Sequence, residues 1–210
     1  LNAVPHLSCM GGTREEIRQL VDQYRAQGCN RIIALRGDLP SGMARAGDMH
    51  FAADLVRFIK AEYGDTFDIT VACYPEFHPQ AEDAESDIAR FAEKAALGAS
   101  SAITQYFYNA DAYFRFVDDV RRRGIDIPII PGIMPISNFS QIRRFSQMCG
   151  AEIPRWMSQR MLAYGDDTAS IREFAADCVA GILPAEVPLL SDGLPFPSFD
   201  LVPSLYLLSS

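Results

Sequence analysis

Five short apolar runs recur along the chain, and between them lie stretches punctuated like amphipathic helices. No other feature narrows the fold as much. The runs are "AVPHLSC" (3–9), "RIIALRG" (31–37), "FDITVACY" (67–74), "SAITQYFY" (101–108) and "IPIIPGIM" (127–134). Their continuous Val and Ile content suits strands covered on both faces, the pattern of a parallel sheet. "TREEIRQLVDQYRAQG" opens with Thr13 as N-cap and Glu16 three residues later, a capping box, and stops at Gly28. "QAEDAESDIARFAEKAALG" sets Ala84, Ile88, Phe91 and Ala95 on one stripe and stops at Gly98. "NADAYFRFVDDVRRRG" starts at Asn109 or Asp111 and ends in Arg121, Arg122 and Arg123, cations that complement the helix dipole.

A strand–helix repeat of this kind requires parallel strands with right-handed crossovers, in an open doubly wound sheet or a (β/α)8 barrel. No G-x-G-x-x-G follows the first strand and no G-x-x-x-x-G-K-[ST] occurs, which removes the two commonest phosphate signatures of open sheets. The expectation is an α/β fold of the (β/α)8 TIM-barrel type, with five clear strands near 3–8, 31–36, 68–73, 102–107 and 128–132. At 210 residues, 49% of them hydrophobic, the chain holds one sizeable core.

A net charge of -8 argues against affinity for nucleic-acid backbones. Cys9, Cys29, Cys73, Cys149 and Cys178 are odd in number and widely spaced, which suits reduced thiols better than disulfides or a zinc site. His50 and His78 lack paired metal-ligand spacing, so no metal is expected. No segment reads as a membrane span, and "LNAVPHLSCM" lacks a basic region followed by a long apolar one, so the expected location is cytoplasmic.

Ligands of parallel α/β folds lie at the carboxyl ends of the strands. Those ends read His6 after "AVP", Arg36-Gly37-Asp38 after "IIAL", Tyr74-Pro75-Glu76-Phe77-His78 after "DITVAC", and Gln105-Tyr106 within "AITQYFY". Each alone is as well explained by an ordinary loop; four successive polar exits together point to a site. His6 reads equally as a hydrogen-bonded core histidine, and Asp38 as a turn residue or as a carboxylate that stabilises developing positive charge. Cys73 reads better as a small buried hydrophobe than as a nucleophile. Asp87, Arg90 and Lys94 share one helical face, as either a solvated row of charge or a stripe facing a phosphate.

In order and spacing, "ALRGD", "ACYPEFHP", "AITQYFY" and "IIPGIMPISNFSQIRRF" resemble the methylenetetrahydrofolate reductase family, over most of the chain. The resemblance implies an FAD-containing barrel that passes hydride from NAD(P)H to flavin and then to 5,10-methylenetetrahydrofolate, giving 5-methyltetrahydrofolate. His6, Arg36, Gly37, Phe51 (where the family often has tyrosine), Ala52, Tyr74, His78, Ala81, Asp87 and Lys94 match cofactor positions. Arg90 and Glu93 occupy cofactor positions with side chains that vary from the family pattern. Asp38 matches an aspartate near both flavin ring and pterin, Gln105 a pterin contact, and Phe145 an aromatic that stacks on either substrate.

Two family features have no counterpart here. The glutamate of an "FEFFPP"-like first strand, which protonates the folate ring nitrogen, is absent, and since general acid catalysis is typically worth about 10²–10⁴-fold, a severely weakened reductase is expected even if FAD binds. "AVPHLSC" corresponds to the third family strand, so the expected barrel is incomplete, spanning residues 1–182. After Arg172 there is no further Lys or Arg, and Pro184, Pro188, Pro195, Pro197 and Pro203 crowd residues 183–210, the composition of an aberrant tail such as a shifted reading frame produces. Open sheet edges invite association, so a homo-oligomer is expected. The alternative reading is a non-catalytic barrel that binds flavin or only self-associates. A barrel aldolase is disfavoured because Lys60 and Lys94 lie in helices rather than at strand ends.

Overall fold

The computed structural model describes residues 4–37, 47–134, 136 and 138–182. Strands and helices alternate as β1 (His6–Ser8), α1 (Arg14–Ala26), β2 (Arg31–Leu35), α2 (Ala52–Tyr63), β3 (Asp68–Cys73), α3 (Ala84–Ala96), β4 (Ser101–Thr104), α4 (Ala110–Arg122) and β5 (Ile129–Ile130). Three helices follow: α5 (Phe139–Cys149), α6 (Arg155–Tyr164) and α7 (Thr168–Ile182). The expected tail, residues 183–210, and Asp38 lie outside the described residues.

All five strands are parallel and stand in the order β1-β2-β3-β4-β5. An open doubly wound sheet reverses its strand order at a switch point; strict sequential order with right-handed crossovers puts every helix on one face, as in a barrel wall. The fold is therefore α/β of the TIM-barrel type, with five strands among the described residues. Each strand is found where the apolar runs put it, although four are shorter than expected. β1 begins only at His6, and β4 ends at Thr104, before Gln105 and Tyr106. His6 thus opens its strand rather than closing it, which corrects its placement at a carboxyl end.

The two faces of the sheet differ. Leu7, Ile32, Ala34, Ile69, Val71, Cys73 and Ala102 point outward into the main core, against Ile17 and Val21 of α1, Leu55, Val56 and Ile59 of α2, Ile88 and Phe91 of α3, and Phe116 and Val120 of α4. Ile69 has no exposed surface, and a side chain of that size contributes about 1.5–3 kcal/mol by leaving water. The opposite face is layered by register: His6 pairs with Ile33, Ile33 with Thr70, and Thr70 with Ser101. Thr70 Oγ1 and Ser101 Oγ lie 2.8 Å apart within that layer.

The helix starts follow local chemistry. Thr13 and Glu16 form the expected box, with the Thr13 N–H donating to Glu16 Oε2 at 2.8 Å. Asp83 caps α3 by accepting from the Ser86 N–H at 2.7 Å, and the Asn109 side chain accepts from the Asp111 N–H. Phe51, at the N-cap of α2, has no acceptor; Asp54 Oδ2 instead takes the N–H groups of His50 and Phe51, both at 3.1 Å. Beyond β5, a second core of Tyr106, Tyr108, Met134, Ile142, Met157, Met161 and Ile171 holds α5, α6 and α7 together.

Candidate functional site

The exits of β1 and β2 are tied to each other. The Arg36 carbonyl accepts from the Met10 N–H at 2.8 Å and from Ser8 Oγ at 2.9 Å. Gly37 follows with φ +77°, and a Cβ there would lie 1.5 Å from Ser8 Oγ. Glycine is required at this position by its left-handed backbone and by the serine pressed against it. No approaching ligand is needed to explain it.

The Arg36 side chain turns towards the exit of β3, where its Nη1 donates to Gln80 Oε1 at 2.6 Å. That exit carries Tyr74 and His78, whose rings meet edge to face with centroids 4.7 Å apart. The His78 N–H donates to Asp87 Oδ2 at 3.0 Å, and its Nδ1 accepts from the Gln80 N–H at 3.0 Å, which leaves Nε2 to carry the proton of the neutral ring. The Ala81 N–H closes the turn on the His78 carbonyl at 2.8 Å. Burial lowers the His78 pKa, against the pull of the Asp87 carboxylate, while Arg36, Lys94 and Arg90 push it further down. Burial also raises Asp87, opposed by the His78 N–H bond and the Lys94 charge. Arg36, Tyr74, His78, Asp87, Arg90 and Lys94 therefore form one electrostatic cluster.

α3 supplies the rest of that cluster: Asp87 is partly buried and Lys94 enclosed, whereas Arg90 is exposed. Lys94 Nζ donates to the Ala72 carbonyl at 2.5 Å, and burial lowers its pKa. The Arg90 guanidinium lies 5.4 Å from the centre of the Phe51 ring, at the start of α2 beside Ala52. Glu93 pairs with Arg57 of α2 at 3.0 Å in an exposed ion pair, with both side chains about half in water, and its charge also acts on Lys94. Cys73 is buried and its thiol is pushed up to about 12, which suits a small hydrophobe rather than a nucleophile.

The other expected residues occupy the inner sheet face, the β4 exit and α5. His6 faces the inner layer; burial lowers its pKa, and its buried Nδ1 has no hydrogen-bond partner among the described residues. Gln105 is 3% exposed, its N–H donates to the Cys73 carbonyl at 2.8 Å, and its Oε1 accepts from the Tyr106 N–H at 3.0 Å. Phe145 lies on α5 along an open groove of about 610 Å³ with Asn138, Gln141 and Arg144. Sequence reasoning passed over Gln80, which orients both Arg36 and His78, and gave no role to Glu76 at the β3 exit, whose Oε2 accepts from the Glu152 N–H at 2.9 Å. Their only signal was position, inside and just after "YPEFHP".

The chain is similar in sequence to known proteins. A family model described as methylenetetrahydrofolate reductase matches residues 1–188. A 5,10-methylenetetrahydrofolate reductase of Salmonella typhimurium is 48% identical over 158 residues, covering 75% of this chain and 52% of the relative. The enzyme of the same name from Escherichia coli is 44% identical over 180 residues, covering 86% of this chain and 59% of the relative. The chain thus spans little more than half the length of these relatives. A plant relative, methylenetetrahydrofolate reductase (NADH) 1 of Arabidopsis thaliana, is 36% identical over 182 residues, covering 80% of this chain and 31% of the relative.

Proposed function

The chain belongs to the methylenetetrahydrofolate reductase family, and on that premise we propose that its strand-end cluster holds FAD for the reduction of 5,10-methylenetetrahydrofolate to 5-methyltetrahydrofolate by NAD(P)H. The observation that carries this reading is the convergence of Arg36, Tyr74, His78, Asp87, Arg90 and Lys94 around one histidine at the carboxyl ends of β2 and β3.

The residues fit such a cofactor. Arg36, Arg90 and Lys94 offer positive charge to a diphosphate. Tyr74 and Phe51 offer ring surfaces, and the unsatisfied His6 Nδ1 on the inner face offers a polar contact to a ligand lying there. Bound flavin supplies the acceptance and donation of a hydride. The chain's own residues bind and orient. Arg36, braced by Gln80, presents a fixed guanidinium. His78, held neutral by burial, presents an Nε2–H. Gln105, rigid at the exit of β4, is the pterin contact, and Asp38 is the carboxylate that stabilises positive charge as the folate ring opens. Phe145 covers the exchanging substrates from α5.

The test is an assay of the purified chain with FAD, NAD(P)H and methylenetetrahydrofolate, following 5-methyltetrahydrofolate by chromatography. Product formed in proportion to the chain supports the reading. Bound flavin and nicotinamide oxidation without methylated product would instead favour a flavin-binding protein that does not reduce folate.

A further inference from the structure

We propose that Glu76 is a positioning residue that fixes the loop of residues 74–81 against the segment following α5, so that the Tyr74–His78 side of the site and the helix bearing Phe145 keep one spacing. The proposal rests on the reading above only for what the two sides hold.

The bond involved spans the chain: Glu76 Oε2 accepts from the Glu152 N–H at 2.9 Å across 76 residues. It is reinforced where Gly150 ends α5 in the left-handed conformation. A Cβ on Gly150 would come within 3.0 Å of Pro79 Cγ and 3.4 Å of the Phe77 carbonyl, so loop and helix end also approach each other just after Glu76. The same helix end is anchored to the exit of β4, because Tyr106 Oη lies 3.1 Å from Ser146 Oγ and accepts from Cys149 Sγ at 3.3 Å. Tyr106 follows Gln105 directly. The exits of β3 and β4 therefore meet at the last turn of α5, and Glu76 is the side chain that adds the β3 loop. Its other oxygen, Oε1, is buried without a hydrogen-bond partner among the described residues. A carboxylate kept in such a place is poorly accounted for as surface solubility.

The test uses the whole 210-residue chain as Glu76→Ala and Glu76→Gln, with amide hydrogen exchange as readout. Glutamine keeps an acceptor for the Glu152 N–H, whereas alanine does not. Glu76→Ala is expected to speed exchange about tenfold in residues 74–81 and 150–153 together, with β2 and β3 unchanged, and Glu76→Gln is expected to restore both. Faster exchange in only one segment, in neither, or equally in both variants would overturn the proposal. Adding FAD to the wild type then separates the two claims. Protection that spreads from 74–81 to 150–153 in the wild type and Glu76→Gln, but stops at the loop in Glu76→Ala, supports the coupling. An absence of any FAD effect counts against the cofactor reading, and the ligand-free exchange still decides the role of Glu76.

Discussion

Lys94 Nζ meets the Ala72 carbonyl at 2.5 Å, joining the last turn of α3 to β3 just past the pairing of Ala34 with Val71, where β2 and β3 separate. The enclosed ammonium thus meets a strand carbonyl at the seam between the two exits.

Lys94→Met keeps the stem against Phe91 and deletes the donor. The variant is expected to lose about 1–3 kcal/mol of stability, because the carbonyl is left unmet. The denaturation midpoint measures this, and an unchanged midpoint would return Lys94 to the surface.

Gly37→Ala places a methyl group on Ser8 at a backbone angle that disfavours any side chain. A cost of about 3 kcal/mol or more is expected. Adding Ser8→Gly should recover the steric part and leave about 1–2 kcal/mol for the left-handed conformation. Equal stability of the single and double variants would show that contact with Ser8 is not the cause.

Acid should weaken the fold through the histidines. Burial lowers His6 and His78 below the ordinary 6.5. Their contribution is complete above that value and is lost as pH falls towards the lowered folded values, because the unfolded chain takes up the protons first. Burial raises Glu76 and Asp87 instead, so protonating them favours the folded chain in the more acid window above their ordinary 4.5 and 3.8. The melting temperature should therefore fall between about pH 7 and pH 6, and the double variant His6→Gln, His78→Asn should flatten that slope. An unaltered slope would contradict the assignment.

On the proposed reading, Asp38 and Gln105 would separate chemistry from cofactor retention. In a chain that also carries the family's first-strand glutamate, Asp38→Asn is expected to cut folate reduction by roughly 10²-fold or more with flavin still bound. Gln105→Ala is expected chiefly to raise the folate KM while sparing nicotinamide oxidation. Steady-state kinetics with each substrate distinguishes the two outcomes, and full folate turnover in Asp38→Asn would leave that carboxylate a turn residue.

The strands were legible because their Val and Ile runs answer to a buried parallel sheet, and α1 because Thr13 and Glu16 cap it with their own side chains. The start of α2 was not legible at Phe51, since its orphan N–H groups are met from inside the helix by Asp54. α5 and α6 bury their apolar residues in the second core with α7, Tyr106 and Tyr108, so they lacked the strand–helix rhythm. At the site, residue types located Arg36, Tyr74 and His78. The contacts that orient them, Gln80 and the Glu76 bond to Glu152, join positions 44 and 76 residues apart, beyond any local pattern.

The most direct test is titration of the flavin-free chain with FAD, followed by flavin fluorescence, beside Arg36→Ala and His78→Ala. The account expects saturable binding by the wild type, weakened about tenfold or more in Arg36→Ala, consistent with the loss of a charge-assisted contact, and weakened less in His78→Ala. A folded wild-type chain that shows no saturable binding, or variants that bind as tightly as it does, would contradict the assignment of this cluster to FAD.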